Sequence, residues 1–427
     1  MLQRTGFFSI GRNCVTDWYQ SPRWSQEITD CSMPMTFDTY SVCAYNCHYC
    51  FSIYQRDIGG AQKNFRSKNV RSVNPAEVKA IFTGTKPSQF SRYIQKRLAM
   101  QWGGLSDQFD EYERRYGITL DLIRFFRGIK YPICFSTKAA WWAYDDRYRE
   151  CFKGADHFNV KFSVIMLNAE SSKIIESGCP SPQERLKAIS EIAKICPGGV
   201  TLRLRPYIIG CSDKDVKELI KQAADAGATA VSTEFFCLEM RSTSGQNYHF
   251  PIISKVIGFD IEKWYRKRSR GSGYLRLTRD IKRPYVDEMQ ELCEKYGLRF
   301  YVSDAHFKER CYNGSCCGLP ESWNYTRGQG CEALQIAKKQ GTVSWSDIAP
   351  HLDYLDGISW DGAKGYNCSS CERRAAYSGF SMVDYLRHVW NHPKIGRSPY
   401  MMFEGVLKPA GIDENGDLVY EVDSARL

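Results

Sequence analysis

The sequence predicts an α/β fold: a partial parallel (β/α) barrel carrying a cysteine-rich C-terminal extension. Three observations predict it. Short strand-like runs alternate with helical patterns from about residue 35 to 235, the rhythm of βα units. A compact loop with three cysteines, Cys43-Ala-Tyr-Asn-Cys47-His-Tyr-Cys50, follows the first of those strands, and barrels of this kind place their chemistry at the carboxyl ends of their strands. Beyond about residue 240 the rhythm breaks, and six further cysteines fall within about sixty residues.

In chain order, residues 35–42 read as the first strand and 98–102 as the second, closed by Gly103-Gly104. Leu120, Ile123 and Phe126 mark one face of a helix ahead of a strand at 133–137. Further strands read at 160–164, 200–204 and 229–232. Between them lie helices at 181–195, opened by Pro180-Ser181-Pro182 with Glu184 in the first turn, and at 213–226, opened by Ser212-Asp213. A helix at 285–296 and a strand at 298–302 follow. The predicted organisation is an N-terminal extension over 1–34 and a barrel core over 35–240. A basic insertion with the last barrel elements covers 241–300, and the cysteine-rich extension covers 301–427, ending in a polar tail.

Composition narrows the function classes. A chain of 427 residues, 43% hydrophobic and 14% aromatic, can bury a large core. No apolar run reaches the length of a membrane span, and the N-terminus lacks the pattern of a secretory signal. Eighteen cysteines without an export signal point to a reducing cytoplasm, where thiols serve metals rather than disulfides. The net charge of +10 allows a polyanionic partner without requiring one. No Walker loop, GxSxG elbow or HExxH pair is present, which argues against nucleotide hydrolases, serine esterases and zinc proteases.

The loop at 43–50 carries the chemistry. Spacings of three and then two residues put three thiolates on one side of a tight turn. Three thiolates can hold three irons of a [4Fe–4S] cube and leave the fourth iron open. A structural zinc site would want four closed ligands, and three cysteines cannot pair evenly as disulfides. His48, inside the loop, reads as a loop residue rather than a ligand.

CxxxCxxC followed by an aromatic residue, here Cys43, Cys47, Cys50 and Phe51, resembles the cluster loop of radical S-adenosylmethionine (SAM) enzymes. Other pieces are similar to the spore photoproduct lyase branch of that superfamily. They are Gly103-Gly104-Leu105-Ser106-Asp107-Gln108-Phe109, Ser136-Thr137-Lys138, Ser163, the stretch Glu176…Pro180…Arg185-Leu186, and Arg205-Pro206-Tyr207-Ile208-Ile209-Gly210. The resemblance spans roughly residues 36–235, with a further echo at 299–320. It implies a [4Fe–4S] cluster on Cys43, Cys47 and Cys50 whose open iron is chelated by SAM. A cofactor site would be formed by Tyr49, Phe51, Gly103, Gly104, Ser106, Asp107, Lys138, Ser163 and Arg205. Ser106 and Asp107 would bind SAM, Lys138 would meet its carboxylate and Ser163 its ribose. A flavodoxin- or ferredoxin-type protein would supply the electron.

The chain departs from the lyase pattern in one place. The lyase carries a cysteine two residues before its Ser-Asp pair, a thiol that returns a hydrogen atom to the product radical; Gly104 stands there in this sequence. Tyr45, Tyr49 and Cys134 are the substitutes the sequence offers, or the substrate radical meets another fate.

The later cysteines are Cys311, Cys316, Cys317, Cys331, Cys368 and Cys371. Cys311, Cys331, Cys368 and Cys371, with Cys317 in reserve, form the best set for a second [4Fe–4S] cluster or a zinc ion, and buried free thiols are the plain alternative. Residues 263–283 concentrate Lys263, Arg266, Lys267, Arg268, Arg270, Arg276, Arg279, Lys282 and Arg283, with Trp264, Tyr265 and Tyr274 interleaved and Gly271 and Gly273 placed for a turn. They read either as a solvated hairpin or as a phosphate-tracking element led by Arg266, Lys267, Arg268 and Arg270. The expected activity is radical SAM hydrogen abstraction from a nucleobase of DNA. The competing readings are radical modification of a peptide or metabolite, and an iron–sulfur DNA-binding or sensor protein without turnover.

Overall fold

A computed structural model describes residues 21–25, 28–58, 69–363 and 371–427, with backbone alone at 56–58 and 371. Most of the expected N-terminal extension, residues 1–20, lies outside them, as does Cys368. The centre is an eight-stranded sheet in the order β1 (Arg23–Trp24), β2 (Met35–Phe37), β4 (Met100–Trp102), β5 (Ile133–Thr137), β6 (Phe158–Ser163), β8 (Val200–Tyr207), β9 (Ala230–Phe235) and β13 (Arg299–Val302). Every pairing is parallel except that of β1 with β2. The intervening short strands are β3 (Asn46–Cys47), β7 (Glu176–Ser177), β10 (Leu238–Glu239), β11 (Ser269–Arg270) and β12 (Tyr274–Leu277). This is the α/β class and the parallel βα build that the sequence predicts.

Period-two alternation sorts the strand residues. Met100, Trp102, Phe135, Val160, Phe162, Leu202 and Leu204 are fully buried on one face. The other face is polar and mutually bonded. Lys161 Nζ donates to Gln101 Oε1 (2.6 Å), Gln101 Nε2 to Ser136 Oγ (2.8 Å), and Arg203 Nη1 to Ser163 Oγ (3.2 Å). The concave side of the curved sheet is therefore a polar lumen, half-buried at Gln101, Arg203, Arg205 and Glu234.

The sheet is not closed between its β1–β2 edge and β13, and the C-terminal segment straps across the opening. Lys308 pairs with Asp30 (3.1 Å), and the Cys316 N–H donates to Ser32 Oγ (2.8 Å). The Thr326 hydroxyl donates to the Cys31 carbonyl (2.6 Å), and the Ala99 N–H to the Asn324 carbonyl (2.9 Å). Gly328 (φ +79°) crosses the Asp30 backbone so closely that a Cβ there would lie 2.6 Å from Asp30 Cα.

Boundaries differ from the sequence reading where side chains intervene. The first strand stops at Phe37 because Asp38 turns its carboxylate to Arg23 and to the Leu105 and Ser106 N–H groups. The predicted polar tail is a hairpin, β15 (Leu407–Ile412) and β16 (Leu418–Val422), docked on β14 (Thr342–Val343). The basic stretch is a short helix (Ile261–Arg266), the β11–β12 hairpin turning at Gly271 (φ +87°), and the start of helix Arg279–Lys295. Its nine cations do not form one face. Arg279 and Lys282 are buried in ion pairs with Glu309 and Asp304, whereas Lys263, Arg266, Lys267 and Arg270 are exposed. Among the described residues no helix is long and apolar enough to cross a membrane.

Candidate active site

The loops at the carboxyl ends of β2, β4, β5 and β6 meet at one mouth of the lumen, and hydrogen bonds weld them. The Asp107 carboxylate accepts from Thr137 Oγ1 (2.8 Å), Lys138 N–H (2.6 Å) and Phe109 N–H (3.0 Å), tying the β4 loop to the β5 loop. Ser106 Oγ donates to Asp38 Oδ1 (3.2 Å) and to the Tyr40 carbonyl (2.9 Å), tying the β4 loop to the β2 loop. The Ala44 N–H, inside the cysteine loop, donates to Asp110 Oδ2 (2.6 Å). Burial, with Asp107 adding to it, pushes the Asp110 carboxyl up to about 8. Ser106 and Asp107, expected to contact a cofactor, thus spend these oxygens on holding the loops in place.

The glycines serve close approach. Gly103 (φ +91°) lies where a Cβ would stand 2.6 Å from the Ser136 carbonyl oxygen. At Gly104 a Cβ would collide with Thr36 Oγ1. The missing lyase cysteine thus has a packing counterpart: the side chain has no room beside Thr36.

The cysteine loop is anchored through its middle thiol. Its strand β3 pairs antiparallel with β7, Cys47 opposite Glu176. Glu176 is buried and bonded to Arg185 (2.5 Å), to Ser172 Oγ (3.0 Å) and to the Tyr49 hydroxyl. Burial raises the Glu176 carboxyl, but the Arg185 charge and hydrogen bond outweigh it, and the net position is below the usual carboxylate range. Lys138 Nζ lies 5.4 Å from the Tyr49 ring centroid. Burial pushes its ammonium down, yet Cys47, Glu176 and Cys179 hold it above the ordinary lysine value. Phe51, which starts the helix Phe51–Ile58, is 49% exposed and stands outside this packing. His48 bonds through Nδ1 to His249 Nδ1 (3.0 Å).

The donor set suits a cube. Cys43 and Cys50 are half-buried, while Cys47 is more enclosed. Burial raises the Cys43 and Cys50 thiols. Hydrogen bonding with Cys179, against an opposing burial effect and with help from Lys138, lowers Cys47. Among the described residues no three Cys, His, Asp or Glu side chains converge on a point for a single metal ion. A [4Fe–4S] cluster takes one thiolate per iron, so its ligands need no such point.

Deeper in the lumen the structure adds groups that the sequence reading missed. Arg203, between Ser163 and Arg205, is brought down to about 10 by burial and by the neighbouring Arg205 charge. Arg205 is ion-paired with Glu234. The signal was the alternation Thr201, Arg203, Arg205 along β8, which puts all three on one face. Cys179 is another omission: its Sγ lies 3.5 Å from Cys47 Sγ.

Of the set expected for a second metal site, Cys311 and Cys331 are described, while Cys368 and the side chain of Cys371 lie outside the described residues. Cys311 hydrogen-bonds the Val302 N–H and carbonyl (both 3.2 Å), and Cys331 is buried in the helix Gln329–Gln340. Cys316 lies 3.7 Å from Cys317 and accepts from Ser32 Oγ (3.3 Å), with Cys31 on its other side. Among the described residues Cys31, Cys311, Cys316, Cys317 and Cys331 share one thiol neighbourhood, with Cys31, Cys316 and Cys317 in direct contact.

No family model and no curated protein matches the chain. Solved structures do. Spore photoproduct lyase complexed with dinucleoside spore photoproduct is 18% identical, with a TM-score of 0.48, over 67% of this chain and 80% of that one. Streptococcus suis SuiB bound to S-adenosylmethionine is 13% identical, with a TM-score of 0.36, over 65% and 52%.

Proposed function

We propose that the chain is a radical SAM enzyme that abstracts a hydrogen atom from a pyrimidine base of DNA. The observation that carries the reading is the Cys43-Cys47-Cys50 loop at the carboxyl mouth of a parallel sheet, facing a polar lumen, with Lys138 beside it. Cys43, Cys47 and Cys50 would hold the [4Fe–4S] cluster, which when bound supplies the electron that cleaves SAM and so the hydrogen-abstracting radical. The chain's own groups do the rest. Lys138 offers a half-buried cation to the methionyl carboxylate, and Gly103 and Gly104 let the loop after β4 pack closely on Ser136 and Thr36. Asp107 and Ser106 keep those loops in register, and the strap at 304–332 closes the lumen's side against water. Arg203 presents a cation half-buried in the lumen. The exposed Lys263, Arg266, Lys267 and Arg270 on the helix and hairpin support a polyanionic substrate.

The test is anaerobic reconstitution with iron and sulfide, reduction with dithionite or a flavodoxin-type donor, and product analysis with and without ultraviolet-treated DNA. Formation of 5′-deoxyadenosine that requires Cys47, and a DNA-dependent change in its yield, are expected. Deoxyadenosine formation indifferent to DNA would transfer the substrate to a peptide or metabolite. Cluster binding without SAM cleavage would mean a sensor.

A further inference from the structure

Cys179 has no part in the loop spacing, yet the fold delivers it to the cluster loop's central thiol. The β3–β7 ladder sets Cys47 opposite Glu176. The turn that follows, closed by the Cys179 N–H to the Glu176 carbonyl (2.9 Å), returns Cys179 to the same side. The two sulfurs are 3.5 Å apart in hydrogen-bond contact. Cys47 is almost fully enclosed, whereas Cys179 is partly open to solvent. Both flanking segments are braced by the Glu176–Arg185 pair, so the contact is held by backbone pairing and a buried ion pair.

We propose that Cys47 and Cys179 form a reversible disulfide in the cluster-free protein, an oxidative latch that withdraws the middle cluster ligand until thiols are reduced. The inference rests on the cluster reading above. The oxidant is a small disulfide of the glutathione class. The accessible Cys179 thiolate attacks one sulfur of oxidised glutathione, forming a Cys179–glutathione mixed disulfide and releasing one glutathione thiolate. The Cys47 thiolate then attacks the Cys179 sulfur, forming the Cys47–Cys179 bond and releasing the second glutathione. Two protein thiols are oxidised and one glutathione disulfide is reduced to two thiols. Reduced glutathione in excess runs both exchanges backward. A latched chain presents only Cys43 and Cys50, and two thiolates do not hold the cube with its open site.

The test uses the full chain, purified without iron and equilibrated anaerobically in glutathione buffers from reducing to oxidising. Acid quenching, alkylation and peptide mass spectrometry read the linkage; iron per chain after reconstitution reads its consequence. Expected is an intramolecular Cys47–Cys179 peptide appearing with loss of two free thiols, and iron uptake falling in step and returning after dithiothreitol. Protein loaded with cluster beforehand should resist the linkage, because Cys47 is then ligated. Cys179→Ser should load iron like the parent under reducing conditions and keep that loading in oxidising buffer. Absence of the linked peptide from the oxidised parent overturns the latch without touching the cluster reading. Equal loss of loading by Cys179→Ser also overturns it, pointing to glutathionylation of Cys43 or Cys50. Failure of the fully reduced parent to take up iron overturns the cluster reading, and the latch with it.

Discussion

Removing Arg185 should damage both the stability of the chain and its cluster loop, because this guanidinium neutralises the buried Glu176 that faces Cys47. Both side chains are fully buried and 2.5 Å apart, and Arg185 also donates to the Ser163 carbonyl (2.6 Å). Arg185→Met strips that cation and leaves the carboxylate with the Tyr49 and Ser172 hydroxyls and the weaker pull of Lys138. Breaking one side of a buried pair costs about 3–5 kcal/mol. At the ~2 °C per kcal/mol suited to a long chain, that is a fall in Tm of roughly 6–10 °C. Replacing both partners, as Glu176→Gln with Arg185→Met, should recover most of the loss, since a buried pair is worth little against a neutral isosteric substitute. The pH dependence has a definite sign. In the parent, Glu176 is held below its unfolded value, so its contribution is present above the ordinary carboxylate pKa and is lost as pH falls through the lower folded value. In Arg185→Met, burial no longer has that opposing charge and raises the carboxyl. The deficit against the parent should therefore be largest near neutrality and shrink as pH falls through the variant's raised folded value toward the unfolded carboxylate value of about 4.3. Thermal melts of the three proteins across that range, with iron uptake measured in parallel, decide the matter. A single variant as stable as the parent, or a deficit that does not change with pH, would refute the reasoning.

Gly104→Cys, which restores the residue of the lyase pattern, should cost about 1–3 kcal/mol through collision with Thr36 Oγ1. Adding Thr36→Ala should return part of that, and denaturant midpoints measure both. Cys43, Cys47 and Cys50 changed together to Ala should leave about four irons per chain if the later cysteines hold a cluster of their own, about one zinc if they hold a structural site, and neither if they are plain thiols; metal analysis of the reconstituted variant reads the outcome. Reversing Arg266, Lys267, Arg268 and Arg270 to Glu should weaken DNA binding by orders of magnitude and flatten the salt dependence, which in the parent should run at roughly 0.9 log units per log salt for each phosphate neutralised in a duplex. A parent without salt-sensitive DNA affinity would remove the nucleic-acid substrate.

The parallel sheet was legible because its strands are short runs rich in apolar residues, one face of each buried, separated by helical patterns. The capping box of Ser181 and Glu184 stands as the sequence implied. Proximity across the chain was not legible. Nothing in the spacing of Cys179, Cys31 or Cys316 announces that the first meets Cys47 and the other two meet each other, because both contacts depend on where the sheet and its strap bring distant segments. The basic stretch shows the opposite failure. Local charge density drew nine cations into one stretch, but helix Arg279–Lys295 turns Arg279 and Lys282 inward to Glu309 and Asp304. A count of positive residues cannot distinguish a cation that faces solvent from one that meets a carboxylate some twenty or thirty residues away.

That distinction shapes the lumen as well. Lys138 answers to Glu176 and the thiols, Arg205 to Glu234, and Lys282 to Asp304, so these cations are largely compensated by the protein. Arg203 bonds to the neutral Ser163 hydroxyl, the next charge along β8 is another arginine, and the carboxylate acting on it, Glu234, is already paired with that arginine. A half-buried guanidinium beside a like charge is held at a cost unless an anion joins it. On the radical SAM reading that anion is a carboxylate or phosphate of the ligand, so Arg203→Met should weaken ligand affinity and leave the iron content of Cys43, Cys47 and Cys50 unchanged. Calorimetric titration of SAM and of a thymidine dinucleotide into the loaded variant separates the two ligands. Undiminished binding of both would show that Arg203 serves only to brace Ser163.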